Sequence, residues 1–140
     1  MNKCSVVSEI RRIMTELEKR ELIECYLDAY NSFNVEGMMA TVHPEIEFKN
    51  VSGGEVNART SGASEFRQMA EQSKGLFRSR QQTMTAFEAT GDGASIEVMY
   101  EAILALDLPN GMTAGETLKL NGRSEFEFKD GKISRIVDYS

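Results

Sequence analysis

The sequence predicts an α+β domain with its helices first and an antiparallel meander after them. Apolar residues recur at helical spacing through the first third of the chain. They alternate with polar residues from Ile46 onward and again throughout the second half. Glycine-bearing turn sequences separate those alternating runs.

Val6, Ile10, Ile13, Met14 and Leu17 fall on one helical stripe, so residues 1–20 read as an N-terminal helical extension. Leu22, Ile23, Tyr26, Leu27 and Tyr30 continue that apolar face opposite Glu21, Glu24 and Asp28, and the helix should end within residues 31–34. A short helix is expected from Val35 to Val42, stopped by Pro44 because the residue before proline is pushed out of the helical region. Ile46, Phe48 and Asn50 then alternate with Glu45, Glu47 and Lys49, the pattern of a strand with one buried face. Ser52-Gly53-Gly54 breaks it. Ser61 and Ser64 are candidate caps for a helix running to Phe77 that buries Phe66, Met69 and Ala70.

The remainder reads as sheet. Its longest strand should carry Ile96, Val98, Tyr100, Ala102, Leu104, Leu106 and Leu108 on one face. Gly91-Asp92-Gly93, Pro109-Asn110-Gly111 and Asp130-Gly131 supply the positive-φ residues of tight hairpins. Leu118, Leu120, Gly122, Ser124, Phe126 and Phe128 share the next inward face; the last strand sets Ser134, Ile136 and Asp138 against Ile133, Arg135, Val137 and Tyr139.

With 140 residues the chain is expected to form one domain over 1–140, burying about two-thirds of its unfolded surface without metal or disulfide staples. Sixteen basic against 22 acidic residues give a net charge of −6, with no concentrated basic face for nucleic acid. No apolar run is long enough to span a membrane, and the charged residues 11–20 do not suit a secretory signal. Cys4 and Cys25 form no evident framework, so a cytoplasmic location is expected. No His or Cys pair has metal-ligand spacing, and no cofactor motif is present; neither metal nor cofactor is expected. His43, the only histidine, precedes Pro44 at an expected helix end, where an imidazole packs or caps carbonyls.

The polar residues in the inward phase are the informative ones. Asn50 and Ser124 need partners if buried, which a ligand can provide. Asp138 is either a frayed carboxylate near the C-terminus or, if enclosed by Phe and Leu side chains, an acid or base of raised pKa. Tyr26 reads as a core tyrosine or a hydrogen-bond donor to a ligand. Gly122 either leaves room for that ligand or marks a bulge.

Tyr26 to Glu47 (YLDAYNSFNVEGMMATVHPEIE), Arg59 to Phe66 (RTSGASEF) and the closing FKDGKISRIVDY resemble the nuclear-transport-factor-2-like superfamily, nearest its SnoaL-like and ketosteroid-isomerase-like branch. The resemblance covers residues 20–140. It implies a cone-shaped, curved, mostly antiparallel sheet wrapped around a long N-terminal helix (a cystatin-like α+β barrel), with a pocket at the open end and a homodimer through the outer sheet face. In ketosteroid isomerase one Asp abstracts a proton while a Tyr and a protonated Asp hold the enolate. Those roles fall on Asn50, Tyr26 and Ser124 here. An amide cannot serve as the base. Asp138 instead resembles the final-strand carboxylate of SnoaL-like cyclases, although their partner histidine has no match on a strand of this chain.

Together these readings imply a small-molecule-binding domain for an apolar or carbonyl-bearing ligand. Its catalytic candidates are Asp138 and Tyr26, with Asn50, Ser124, Tyr100, Phe48, Phe66 and Met69 lining the site. If the domain is an enzyme, it performs cofactor-free proton transfer: isomerisation, cyclisation or dehydration. The rival reading is a non-catalytic dimerisation or protein-association domain, distinguished by a collapsed interior.

Overall fold

The computed structural model describes residues 14–140. In chain order these form α1 (Glu16–Asn31), α2 (Val35–Thr41), β1 (Val42–Ser52), β2 (Glu55–Ser61), α3 (Ala63–Lys74), β3 (Phe77–Thr90), β4 (Gly93–Leu104), β5 (Thr117–Lys129) and β6 (Lys132–Tyr139). The strands make one sheet in the order β2-β1-β6-β5-β4-β3. Strands β1 and β6 run parallel; every other neighbouring pair is antiparallel. The register shifts at Asn50/Val51, Met84/Ala86 and Glu127/Phe128, the kind of irregularity that bends a sheet. The sheet curves without closing, so the expected barrel is an open α+β cone with edges β2 and β3.

Helix α1 begins at a capping box. The Thr15 hydroxyl accepts from the Glu18 amide, and the Glu18 carboxylate accepts from the Thr15 amide at 2.8 Å. Leu22, Ile23, Tyr26 and Leu27 are buried in the core against Ile46, Phe66, Ile96, Phe126 and Ile136. Full burial of such side chains contributes roughly 1.5–3 kcal/mol each. Leu17, placed on the apolar stripe by its spacing, is 64% exposed. The other stripe positions up to Ile13, with most of the expected extension, lie outside the described residues. Lys19 is buried instead, its ammonium donating to the carbonyls of Gly91 and Gly93 at 2.8 and 3.1 Å. Cys25, also buried on α1, is disulfide-bonded, where the cysteine count gave no evident framework. Spacing reports no pairing.

Four further expectations change. Helix α2 passes directly into β1 at Val42, so His43 lies on a strand; its Nδ1 accepts from the Glu45 amide at 3.0 Å. Helix α3 is entered through Gly62 at φ 87°, with no side-chain cap: Ser61 ends β2, where its hydroxyl donates to Glu47. The helix stops at Lys74, and Phe77 starts β3. Strand β4 ends at Leu104, leaving Leu106 and Leu108 in the loop 105–116 with Pro109-Asn110-Gly111, which is no tight hairpin. Strand β2 itself has no sequence signature, because it is a mostly exposed edge strand.

The turn at Asp130-Gly131 has consecutive positive φ values of 54° and 76°, as a two-residue hairpin requires. The Glu127/Phe128 bulge sets Phe128 opposite Ile133, so Ile133, expected on the outer face, is buried with Ile136. No described helix is long and apolar enough to cross a membrane.

Candidate functional site

The concave face of the sheet and helices α1, α2 and α3 line an open cavity of about 430 Å³. Such a volume suits a small organic ligand. Tyr26 reaches it from α1, Met69 from α3, Phe48 and Asn50 from β1, Tyr100 from β4, Ser124 from β5 and Asp138 from β6. Phe66 does not line it. That ring is fully buried behind the wall, packed against Tyr26 and Phe48 at centroid distances of 6.4 and 5.9 Å. Helix α3 turns it further into the core than its spacing with Met69 indicates.

Strand register explains the polar cluster. Asn50 pairs with Asp138 across β1 and β6, and Asp138 pairs with Ser124 across β6 and β5. The three therefore form one row on the inward face. Ile136 and Phe126, two residues along, pair in the apolar row beneath them.

Ser124, only 3% exposed, donates from Oγ to Oδ1 of Asp138 at 2.6 Å. This is the short bond of a hydroxyl to an ionised acceptor. Burial nevertheless pushes the Asp138 pKa up to about 6, with the Ser124 bond opposing the rise. Burial also raises the pKa of the Tyr26 phenol; the Asp138 charge adds to that rise and the Arg80 charge opposes it. Tyr26 thus stays protonated at all ordinary pH. Asn50, which lines the cavity, donates from its amide Nδ2 to Asn57 Oδ1 at 2.7 Å and keeps its carbonyl oxygen as an acceptor.

Gly122 lines the same cavity, but its role is close approach: a Cβ there would lie 2.5 Å from the main-chain oxygen of Tyr139. Among the described residues no cluster of three His, Cys, Asp or Glu side chains could hold a metal.

The SnoaL-like domain family matches residues 23–136, most of the chain. The chain belongs to the SnoaL-like family. No curated protein matches it. Solved structures similar to this SnoaL-like domain include a protein of Xanthomonas campestris pv. campestris provisionally described as a polyketide cyclase, at TM-score 0.75 and 20% identity over 89% of this chain and 91% of that one. Another is a Catenulispora acidiphila protein with a ketosteroid isomerase-like fold, at TM-score 0.70 and 14% identity over 86% and 85%. A third is an M. tuberculosis LEH-like epoxide hydrolase, at TM-score 0.71 and 18% identity over 89% and 83%. At these identities the likeness establishes the fold.

The SnoaL-like cavity also has walls that the inward-phase pattern did not single out. Tyr30, Ser73, Phe77 and Gln82 line it. Asn31 fixes Gln82 through a pair of bonds, its Oδ1 accepting from the Gln82 amide at 2.7 Å and its Nδ2 donating to the Gln82 carbonyl at 3.1 Å. The Tyr30 and Tyr100 hydroxyls lie 3.0 Å apart. The legible signal was the i, i+4 relation of Tyr26 and Tyr30, which sets both rings on one helix face.

Proposed function

We propose that this SnoaL-like domain binds a small carbonyl-bearing molecule and moves a proton on it without a cofactor. The observation that carries the reading is Asp138, a carboxylate with a pKa of about 6 in a mostly apolar cavity, hydrogen-bonded by Ser124. Near pH 7 such a group is mainly ionised yet easily protonated, which suits a general base that must return its proton.

In the proposed step the Asp138 carboxylate takes a proton from the carbon beside the ligand carbonyl. The C–H electron pair becomes the enolate, and the Tyr26 hydroxyl donates to its oxygen. Asp138 then delivers the proton to a different carbon or to a leaving oxygen. Isomerisation, cyclisation and dehydration all share this step. Asn50 accepts from a ligand hydroxyl and sets the orientation, while Phe48, Met69 and Tyr100 hold the apolar body. Structural relatives described as a polyketide cyclase and an epoxide hydrolase accord with small-molecule chemistry on this fold. The cavity of about 430 Å³ favours this reading over a filled, purely associative domain.

Thermal denaturation with a panel of planar and polycyclic carbonyl compounds tests binding. A ligand at about 100 times its Kd adds roughly 2.7 kcal/mol. Asn50→Leu combined with Ser124→Ala should weaken that stabilisation; an undiminished effect refutes the assigned site. Deuterium exchange into a binding compound, followed by NMR, tests the chemistry, and should be lost in Asp138→Asn.

A further inference from the structure

Arg80 on β3 takes no part in the proton transfer just described, yet it is a buried cation. Its residue is 3% exposed, and no carboxylate pairs with it among the described residues. Nε donates to the Tyr30 main-chain oxygen at 2.8 Å and Nη1 to the Ser73 hydroxyl at 3.3 Å; Nη2 has no partner. The guanidinium carbon lies 3.7 Å from the centroid of the Tyr30 ring and 4.5 Å from that of Phe33. Phe33 sits at φ 58°, a left-handed conformation that bulky side chains rarely adopt. The α1–α2 link thus tolerates backbone strain where an aromatic ring covers this cation.

A buried charge without an opposite charge is costly unless something nearby uses its field. Tyr30 and Ser73, the two groups Arg80 engages, both line the cavity, so the guanidinium stands one layer behind its wall. Only one hydrogen can occupy the 3.0 Å contact between the Tyr30 and Tyr100 hydroxyls. The other O–H is left to donate; both tyrosines are half-buried and line the cavity. Building on the cavity reading above, we infer that the Tyr30–Tyr100 end is a subsite for an acidic enol or phenol oxygen, bound as its anion in the field of Arg80. Tyr100 is the contact residue; Arg80 and Phe33 are positioning residues.

Leu120, the register partner of Tyr100, stands four residues before Ser124 on β5, about 13 Å along the strand. Tyr100 and Asp138 line the same cavity and Tyr100 feels the Asp138 charge, so a ligand of fused-ring size is the one to span from this subsite to Asp138. The occupant is therefore an acidic hydroxy-carbonyl compound rather than a neutral ketone.

The test compares 2-hydroxy-1,4-naphthoquinone, an anion at pH 7.5, with its neutral O-methyl ether, by titration calorimetry. The native protein should bind the anion at least tenfold more tightly than the ether. Tyr100→Phe and Arg80→Met should each reduce that preference below threefold, and Arg80→Lys should restore part of it. Asp138→Asn should preserve or increase it, since that carboxylate repels an anion. Should Arg80→Met not fold, Tyr100→Phe decides, because it removes one oxygen at the cavity wall and keeps the ring. Equal binding of both probes by the native protein overturns the subsite and leaves the cavity reading standing. A preference that survives in Tyr100→Phe also overturns it. Failure of both probes to bind overturns the cavity reading together with the subsite.

Discussion

Asp138→Asn should change how stability depends on pH. Burial lifts the Asp138 pKa from 3.8 to about 6, so the folded state holds this proton more tightly than the unfolded chain. The stability linked to that proton is complete below pH 3.8 and is lost as pH rises through 6. At 1.36 kcal/mol per pKa unit the full difference is about 3 kcal/mol, of which about 2.4 kcal/mol falls between pH 4 and pH 7. Asparagine carries no such charge to desolvate. It keeps the shape and still accepts from Ser124, although a bond to a neutral acceptor is weaker by about 1 kcal/mol. Urea denaturation of both proteins at half-unit intervals from pH 4 to 8 isolates the effect, because the other titrating groups cancel in the difference. The variant should gain on the native protein by about 2.4 kcal/mol across that range, with the steepest gain near pH 5. A flat difference curve would refute the argument, since it would mean that Asp138 titrates near its ordinary value and is not enclosed.

Other outcomes follow from the same geometry. Because the Ser124 bond holds the Asp138 pKa down, Ser124→Ala should raise it further, visible as a later midpoint in an NMR titration of the carboxyl carbon; an earlier midpoint would contradict the assigned bond. Gly122→Ala should cost about 1–3 kcal/mol in denaturant unfolding, because the new methyl meets main-chain oxygen that cannot turn aside; a loss below 0.5 kcal/mol, on the order of an ordinary surface change, would show that the β5 and β6 ends part freely. No substantial isomerisation of a 3-oxo-Δ5-steroid is expected with Asn50 where that enzyme's base would stand, and robust turnover abolished by Asn50→Ala would reverse the assignment. Light scattering should report about twice 15.7 kDa, the mixed outer face of Glu97, Met99, Glu101, Lys119 and Arg123 meeting a second copy; a monomer at micromolar concentration would contradict this.

Much of the architecture was legible from residue order alone. Period fixes phase: an alternating strand with one buried face has only two settings, and burying Ile46, Phe48, Phe126 and Ile136 sends Asn50, Ser124 and Asp138 inward with them. The helical stripe from Leu22 to Tyr30 likewise put Tyr26 on the core side. What escaped depends on contacts between segments distant in sequence. An edge strand such as β2 buries too little to leave a pattern. The β5–β6 bulge reversed Ile133, since one extra residue in β6 shifts the phase of the residues before it relative to those that follow. Nothing in the chain order marked Arg80 as a buried cation or Lys19 as the clasp on the Gly91 turn; both burials exist because strands β3 and β4 fold back across α1. The pKa of Asp138 belongs to that class as well. Its identity and phase are local, whereas its desolvation comes from walls that residues far along the chain assemble around it.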